Sequence, residues 1–243
     1  MKCTNRNLRG RVSAMLLIFA ISLTGCGNTK YDMAYQLNND VSSFQLLTTT
    51  NQETLEPFAA DLCVADKDVS AAGVNLSDVG SAALFDLKNL DTLYAKNVNE
   101  QLNPASLTKV MTALVAMKYG SADQILTATD SVLVKEQGAV LCGLKPGDQM
   151  TLDQALHILL IYSANDVANL IAEGISGSVE EFVALMNSEA AELGATNCSF
   201  TNPNGLTEEG HYMTAYDLYL IFQEAMQYDL FNQIIQMSSY TTT

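Results

Sequence analysis

Basic side chains are scarce in this 243-residue sequence: 12 Lys and Arg face 27 Asp and Glu, for a net charge of −15. Lys2, Arg6, Arg9 and Arg11 all precede Cys26 in a segment without acids, so the remainder carries eight basic and 27 acidic residues, a net −19. So acidic a body is excluded as a nucleic-acid binder, because phosphates demand neutralisation by Lys and Arg. It would also avoid an anionic membrane surface unless anchored. Charge of either sign is sparse, at 16% of residues against 48% hydrophobic. That balance excludes disorder throughout and allows one large domain, or a domain with a subdomain. The two histidines and five cysteines lack metal-ligand spacing, so the sequence gives no support for a metal, and no cofactor is expected. The apolar run near the N-terminus falls short of the roughly 20 residues that a bilayer requires.

That run, Ala14-Met-Leu-Leu-Ile-Phe-Ala-Ile-Ser-Leu23, follows the basic start and precedes small residues, the pattern of a secretory signal. It ends in Leu23-Thr-Gly-Cys26, which resembles the lipobox of bacterial lipoproteins. The resemblance implies cleavage before Cys26, lipidation of that cysteine, and attachment to the outer face of the bacterial cell membrane. The alternative is an ordinary signal peptide with an incidental cysteine. Cys3 would be removed, which leaves Cys63, Cys142 and Cys198 for at most one bridge; buried free thiols are the expectation. Residues 1–25 are thus read as signal peptide and 26–75 as a polar, Asn- and Thr-rich tether with a short lead-in. The folded domain is expected over 76–243.

The stretch that organises this domain is Asn103-Pro-Ala-Ser106-Leu-Thr-Lys109-Val-Met-Thr-Ala-Leu-Val-Ala-Met117. Pro104 suits a first helical turn, and Leu107, Val110, Met111, Leu114 and Met117 recur at helical spacing. Residues three apart share a face, so the Lys109 amine reaches the Ser106 hydroxyl near a helix N-terminus. Burial in so apolar a helix lowers a lysine's pKa toward the range where it accepts a proton, the requirement for an activated nucleophile.

Around it, 81–87 and 92–96 predict an antiparallel hairpin, and 124–128 a short strand. Gly138, Gly143 and Pro146-Gly147 mark loops. Thr151 with Gln154 and Ser178 with Glu181 read as capping boxes, Asp166 as an N-cap for 167–173, and Thr214 with Asp217 as another cap. The segment of about 151–194 is therefore expected to form a helical subdomain. Ser163 and Asn165 fall on a corner between two of its helices. His157 is read as packed or exposed, and His211 as structural in a turn.

Ser-x-x-Lys alone is a weak signal, and Ser-x-Asn weaker still. Together, in these contexts, they are specific. The stretches Asn103–Leu114, Gly143-Leu-Lys-Pro-Gly-Asp148, Ser163-Ala-Asn-Asp166, Phe200-Thr-Asn-Pro-Asn-Gly-Leu206 and His211-Tyr-Met-Thr-Ala-Tyr-Asp217 resemble the low-molecular-mass D-alanyl-D-alanine carboxypeptidases of the serine β-lactamase and penicillin-binding superfamily. The resemblance runs from about Ser81 to about Met237. Ala164 favours a carboxypeptidase over a class A β-lactamase, whose second motif is Ser-Asp-Asn.

The resemblance implies an α/β fold of α+β type, with an antiparallel sheet flanked by helices. It implies that Ser106 is the nucleophile, Lys109 the general base, Ser163 a proton relay and Asn165 a substrate-binding residue. The implied substrate is a peptidoglycan stem peptide ending in D-Ala-D-Ala, with β-lactam antibiotics acylating the same serine. One departure is that no Lys-Thr-Gly, the family's third motif, occurs in the sequence. The expectation is a C-terminally truncated, catalytically crippled chain. Two other functions stay open at this stage: a non-catalytic wall-binding lipoprotein of the same fold, and a β-lactamase-like hydrolase.

Overall fold

The computed structural model describes residues 61–242. The expected signal peptide, Cys26 and the tether up to residue 60 lie outside the described residues. The described part belongs to one unit, Pro57–Thr243, built on the helix that carries Lys109. A 3₁₀ turn, Ala105–Leu107, leads into this helix, α1 (Thr108–Tyr119). Met111, Ala113, Leu114, Val115 and Ala116 are all buried, so α1 has no solvated face along its middle and must be enclosed on every side.

The enclosure is helical. After the hairpin β1 (Ala82–Asp86) and β2 (Asp91–Lys96) come β3 (Ile125–Thr127) and β4 (Gln149–Thr151). Then follow α2 (Leu152–His157), a π turn (Ile158–Tyr162), α3 (Asn165–Ser176), α4 (Val179–Glu192), α5 (Ala215–Ala225) and α6 (Asp229–Ile234). Helices α3, α4 and α5 pack against α1. Leu114, Leu156, Ile171, Phe182, Met186, Ile221 and Phe231 share one core cluster and are essentially solvent-free. Full burial of a side chain of this size contributes roughly 1.5–3 kcal/mol, so this cluster is the main cohesive element.

Local signals account for most of the boundaries. Thr151 and Gln154 form the reciprocal capping box of α2, and Thr214 and Asp217 that of α5. At α4 only half of the expected box forms: the Ser178 hydroxyl accepts the Glu181 N–H, and Glu181 does not reach back. Gly120 ends α1 in extended conformation, and its need for glycine is spatial. A Cβ there would stand 2.5 Å from both Ile175 and Leu152.

The strands form two antiparallel two-stranded sheets, β1 with β2 and β3 with β4. The β1–β2 register shifts between Leu84 and Phe85. There Phe85 packs on Tyr219 of α5, ring centroids 4.3 Å apart. The lead-in joins the same place: Cys63 donates its N–H to the Tyr219 hydroxyl, and its carbonyl accepts from Tyr216. Cys63 is buried and free, Cys198 partly exposed and free, and Cys142 exposed and free. Burial alone therefore describes one of the three thiols fully.

Candidate active site

The serine reaches its position through a strained approach. Ala105, the residue before it, has φ +47°, a left-handed conformation that disfavours residues with a Cβ by about 1–2 kcal/mol. Its N–H is held by the Asn103 side chain at 2.9 Å, and its carbonyl lies against the backbone of Gly205. The 3₁₀ turn that Ala105 opens leaves Ser106 exposed and Lys109 buried, 2% accessible.

Lys109 Nζ makes three contacts: Ser106 Oγ at 3.3 Å, Asn165 Oδ1 at 2.7 Å and the Asn204 carbonyl oxygen at 2.5 Å. Burial lowers its pKa from 10.5 to about 8. The three acceptors are chemically unequal. An amide oxygen and a peptide carbonyl only accept, whereas a hydroxyl both accepts and donates. A neutral Lys109 can therefore turn its lone pair only toward Ser106 among these partners. The arrangement suits withdrawal of the serine proton.

Ser163 and Asn165 come from the corner between the π turn and α3. Ser163 is left-handed, φ +63° and ψ +34°, and this reversal lets Asn165 begin α3 facing Lys109. Ser163 lines a cavity of about 540 Å³ together with Ser106, Lys109, Leu160 and Phe222. It is outside the lysine's hydrogen-bond set. Ser106 also opens into a second, more polar cleft of about 210 Å³, bounded by residues 136–140, Asn165 and residues 204–207. The structure thus brings Ser106, Lys109, Ser163 and Asn165 together.

Three features escape sequence reasoning. Asn204 serves the lysine through its backbone carbonyl, which carries no side-chain signature; the Asn202-Pro-Asn-Gly205 pattern announces only a turn. Asp166 is not the N-cap of α3, because Ala164 occupies that position. Its carboxylate instead accepts N–H groups from Cys142, Gly143 and Leu144 as well as from Val167. His211 is structural, as expected, but with specific partners. Its Nδ1 accepts the Thr201 N–H at 3.0 Å, so Nε2 carries the proton and donates to Thr108 Oγ1 at 2.8 Å. Burial pushes the His211 pKa down, in keeping with this neutral form. His157 is packed, stacked on Tyr240 with centroids 4.2 Å apart.

A Ser-x-x-Lys helix enclosed by helices and antiparallel strands defines an α+β fold of the penicillin-binding, transpeptidase-like class. The chain is similar to the solved D-alanyl-D-alanine carboxypeptidase of Mycobacterium tuberculosis H37Rv, with TM-score 0.61 and 36% identity over 69% of this chain and 64% of that one. A mutant of the Streptomyces K15 DD-transpeptidase gives TM-score 0.63 at 26% identity, over 67% and 66%. The chain belongs to the peptidase S11 family, D-alanyl-D-alanine carboxypeptidase, whose profile matches residues 68–243. Among curated relatives, D-alanyl-D-alanine carboxypeptidase DacF of Bacillus subtilis is 45% identical over 153 residues, which are 61% of this chain and 39% of the relative. DacB2 of Mycobacterium tuberculosis is 38% identical over 175 residues, 70% of this chain and 59% of the relative. The chain therefore spans about two-fifths to three-fifths of the length of these relatives.

Proposed function

We propose that this chain supplies the nucleophile and base of a serine D-Ala-D-Ala carboxypeptidase that trims peptidoglycan stem peptides outside the cytoplasm. The observation that carries the reading is the buried amine of Lys109, with a pKa lowered to about 8, at 3.3 Å from the Ser106 hydroxyl. Lys109 removes the hydroxyl proton as Ser106 Oγ attacks the carbonyl of the penultimate D-Ala. The Ser106 N–H is one donor to the oxyanion, an interaction worth roughly 3–4 kcal/mol where such donors have been removed elsewhere. The proton held by Lys109 then passes through the Ser163 hydroxyl, across the cavity, to the departing D-Ala amine, which leaves both residues as they began, and Asn165 hydrogen-bonds the peptide backbone. Water then hydrolyses the ester and frees Ser106.

Penicillins acylate the same hydroxyl in this reading. Cys26, with its lipobox-like surroundings, is the lipid attachment point that keeps the enzyme at the outer face of the membrane. The test uses the natural gene product and a fluorescent penicillin. Covalent labelling of the wild type, lost in Ser106→Ala and accompanied by release of D-Ala from a D-Ala-D-Ala peptide, is the expected result. An unlabelled wild type, or a Ser106→Ala protein that labels equally, overturns it.

A further inference from the structure

The polar cleft beside Ser106 is bounded by residues 136–140, in a loop whose two ends are both tied to helix α3. At the far end, the Asp166 carboxylate is 1% exposed and accepts the N–H groups of Cys142 at 2.9 Å, Gly143 at 2.8 Å and Leu144 at 3.1 Å. Beside it, the Asn165 N–H donates to the Val140 carbonyl at 2.8 Å. At the near end, the Asn169 side chain donates to the Ser131 carbonyl at 2.8 Å, and the Ser131 hydroxyl donates to Glu173 at 2.7 Å. Positions 166, 169 and 173 are three and four apart, so they fall along one stripe of α3.

The same stripe reaches the lysine. Asn169 Oδ1 accepts from the Asn204 side chain at 3.1 Å, and the Asn204 carbonyl accepts from Lys109. Asn165 bonds Lys109 directly through Oδ1 while its N–H holds the loop. One helical face therefore fixes the cleft wall and the amine in a common frame. A carboxylate accepting several backbone N–H groups is a strong, charge-assisted anchor. Apart from the Val167 N–H of its own helix, its partners all lie in the wall, and Asp166 is no partner of Ser106 or Lys109.

We propose that Asp166 and Asn169 are positioning residues that hold the loop of residues 133–144 as the substrate-facing wall, and so set how well the peptide is bound beside Ser106. The inference rests on the carboxypeptidase reading. Asn169 also holds the side chain of Asn204, whose carbonyl accepts from Lys109, so Asp166 is the residue that acts on the wall without touching the amine. Loosening the wall there weakens ground-state and transition-state binding alike, while the Ser106–Lys109 pair, held by α1, Asn165 and the 202–205 turn, keeps its chemistry. That combination raises KM and spares kcat.

The experiment compares wild type, Asp166→Asn and Asn169→Ala in the natural gene product. Active sites are first counted by stoichiometric penicillin labelling, and D-Ala release is then measured per titrated site. Asp166→Asn turns one acceptor oxygen into an NH₂ facing N–H donors. A rise of about tenfold or more in KM, with kcat within about threefold and an unshifted pH profile, is expected. Asn169→Ala should raise KM by about threefold or more, with some loss of kcat because the Asn204 side chain loses its partner. If Asp166→Asn yields no titratable protein, Asn169→Ala decides. A wild-type KM per titrated site in the variant that titrates overturns the inference, as does a loss confined to kcat. A wild type that binds no penicillin overturns the carboxypeptidase reading and this inference with it.

Discussion

Gly205 and Ala105 touch through their backbones: a Cβ on Gly205 would stand 1.9 Å from the Ala105 carbonyl oxygen. This contact seats the Asn202–Gly205 turn against the strained residue that precedes Ser106, and so brings the Asn204 carbonyl to Lys109. Gly205 has φ +82° in addition. Gly205→Ala meets both obstacles, one conformational at about 1–2 kcal/mol and one a collision with backbone that no rotamer relieves. The expected outcome is a lower melting temperature together with a drop in penicillin acylation of about tenfold or more, because the lysine's acceptor moves. Thermal melts and acylation time courses on the same preparation check it.

The lowered pKa of Lys109 predicts a pH signature in both rate and stability. Acylation of Ser106 should rise through pH about 8 as the amine loses its proton, and Lys109→Met should lose about a hundredfold or more in rate. Between about 8 and 10.5 the unfolded chain holds a proton that the folded chain has released. Folding stability therefore rises with pH across that window. Denaturant midpoints of wild type and Lys109→Met, compared from pH 7 to 10.5 (about the window's limits), should diverge in slope there. Parallel curves would count against the buried amine.

His211 predicts the acid side. Its folded pKa lies below the ordinary 6.5, so as pH falls through that value the unfolded chain takes up a proton first and stability declines. Protonation also turns Nδ1 from an acceptor into a donor facing the Thr201 N–H. His211→Ala leaves the Thr108 hydroxyl and the Thr201 N–H without this partner, at a cost of about 1–3 kcal/mol. Urea titrations at neutral pH should show that loss, and the variant should lack the wild type's decline just below pH 6.5.

Thr151→Ala provides the contrast. It removes the hydroxyl that accepts the Gln154 N–H at 3.1 Å and caps α2, and Thr151 is not among the lysine's partners. A loss of about 1 kcal/mol in unfolding free energy with unchanged acylation per titrated site is expected. Equilibrium unfolding and penicillin titration measure the two quantities separately.

Much of this was readable in the chain. The serine and lysine meet because residues three apart on a helix must, and the caps at Thr151 and Thr214 act within four residues of themselves. The lowered pKa of Lys109 was expected from its place inside a strongly apolar helix. At Asp166 the reading failed because the competing partners lay far along the chain. Asp166 looked like a helix cap by local chemistry, yet its carboxylate serves N–H groups 22 to 24 residues earlier. The full capping box at Ser178 required a side-chain return that Glu181, in the first turn of α4, does not make.

The sequence by itself thus determined the helix that pairs Ser106 with Lys109 and most element boundaries, since each depends on periodicity or on contacts between near neighbours. Only the tertiary structure decided which groups surround the amine, how the cleft wall is held and what His211 does. Those depend in large part on backbone carbonyls and N–H groups, which every residue carries alike, brought to their partners by tertiary packing across separations of up to 95 residues.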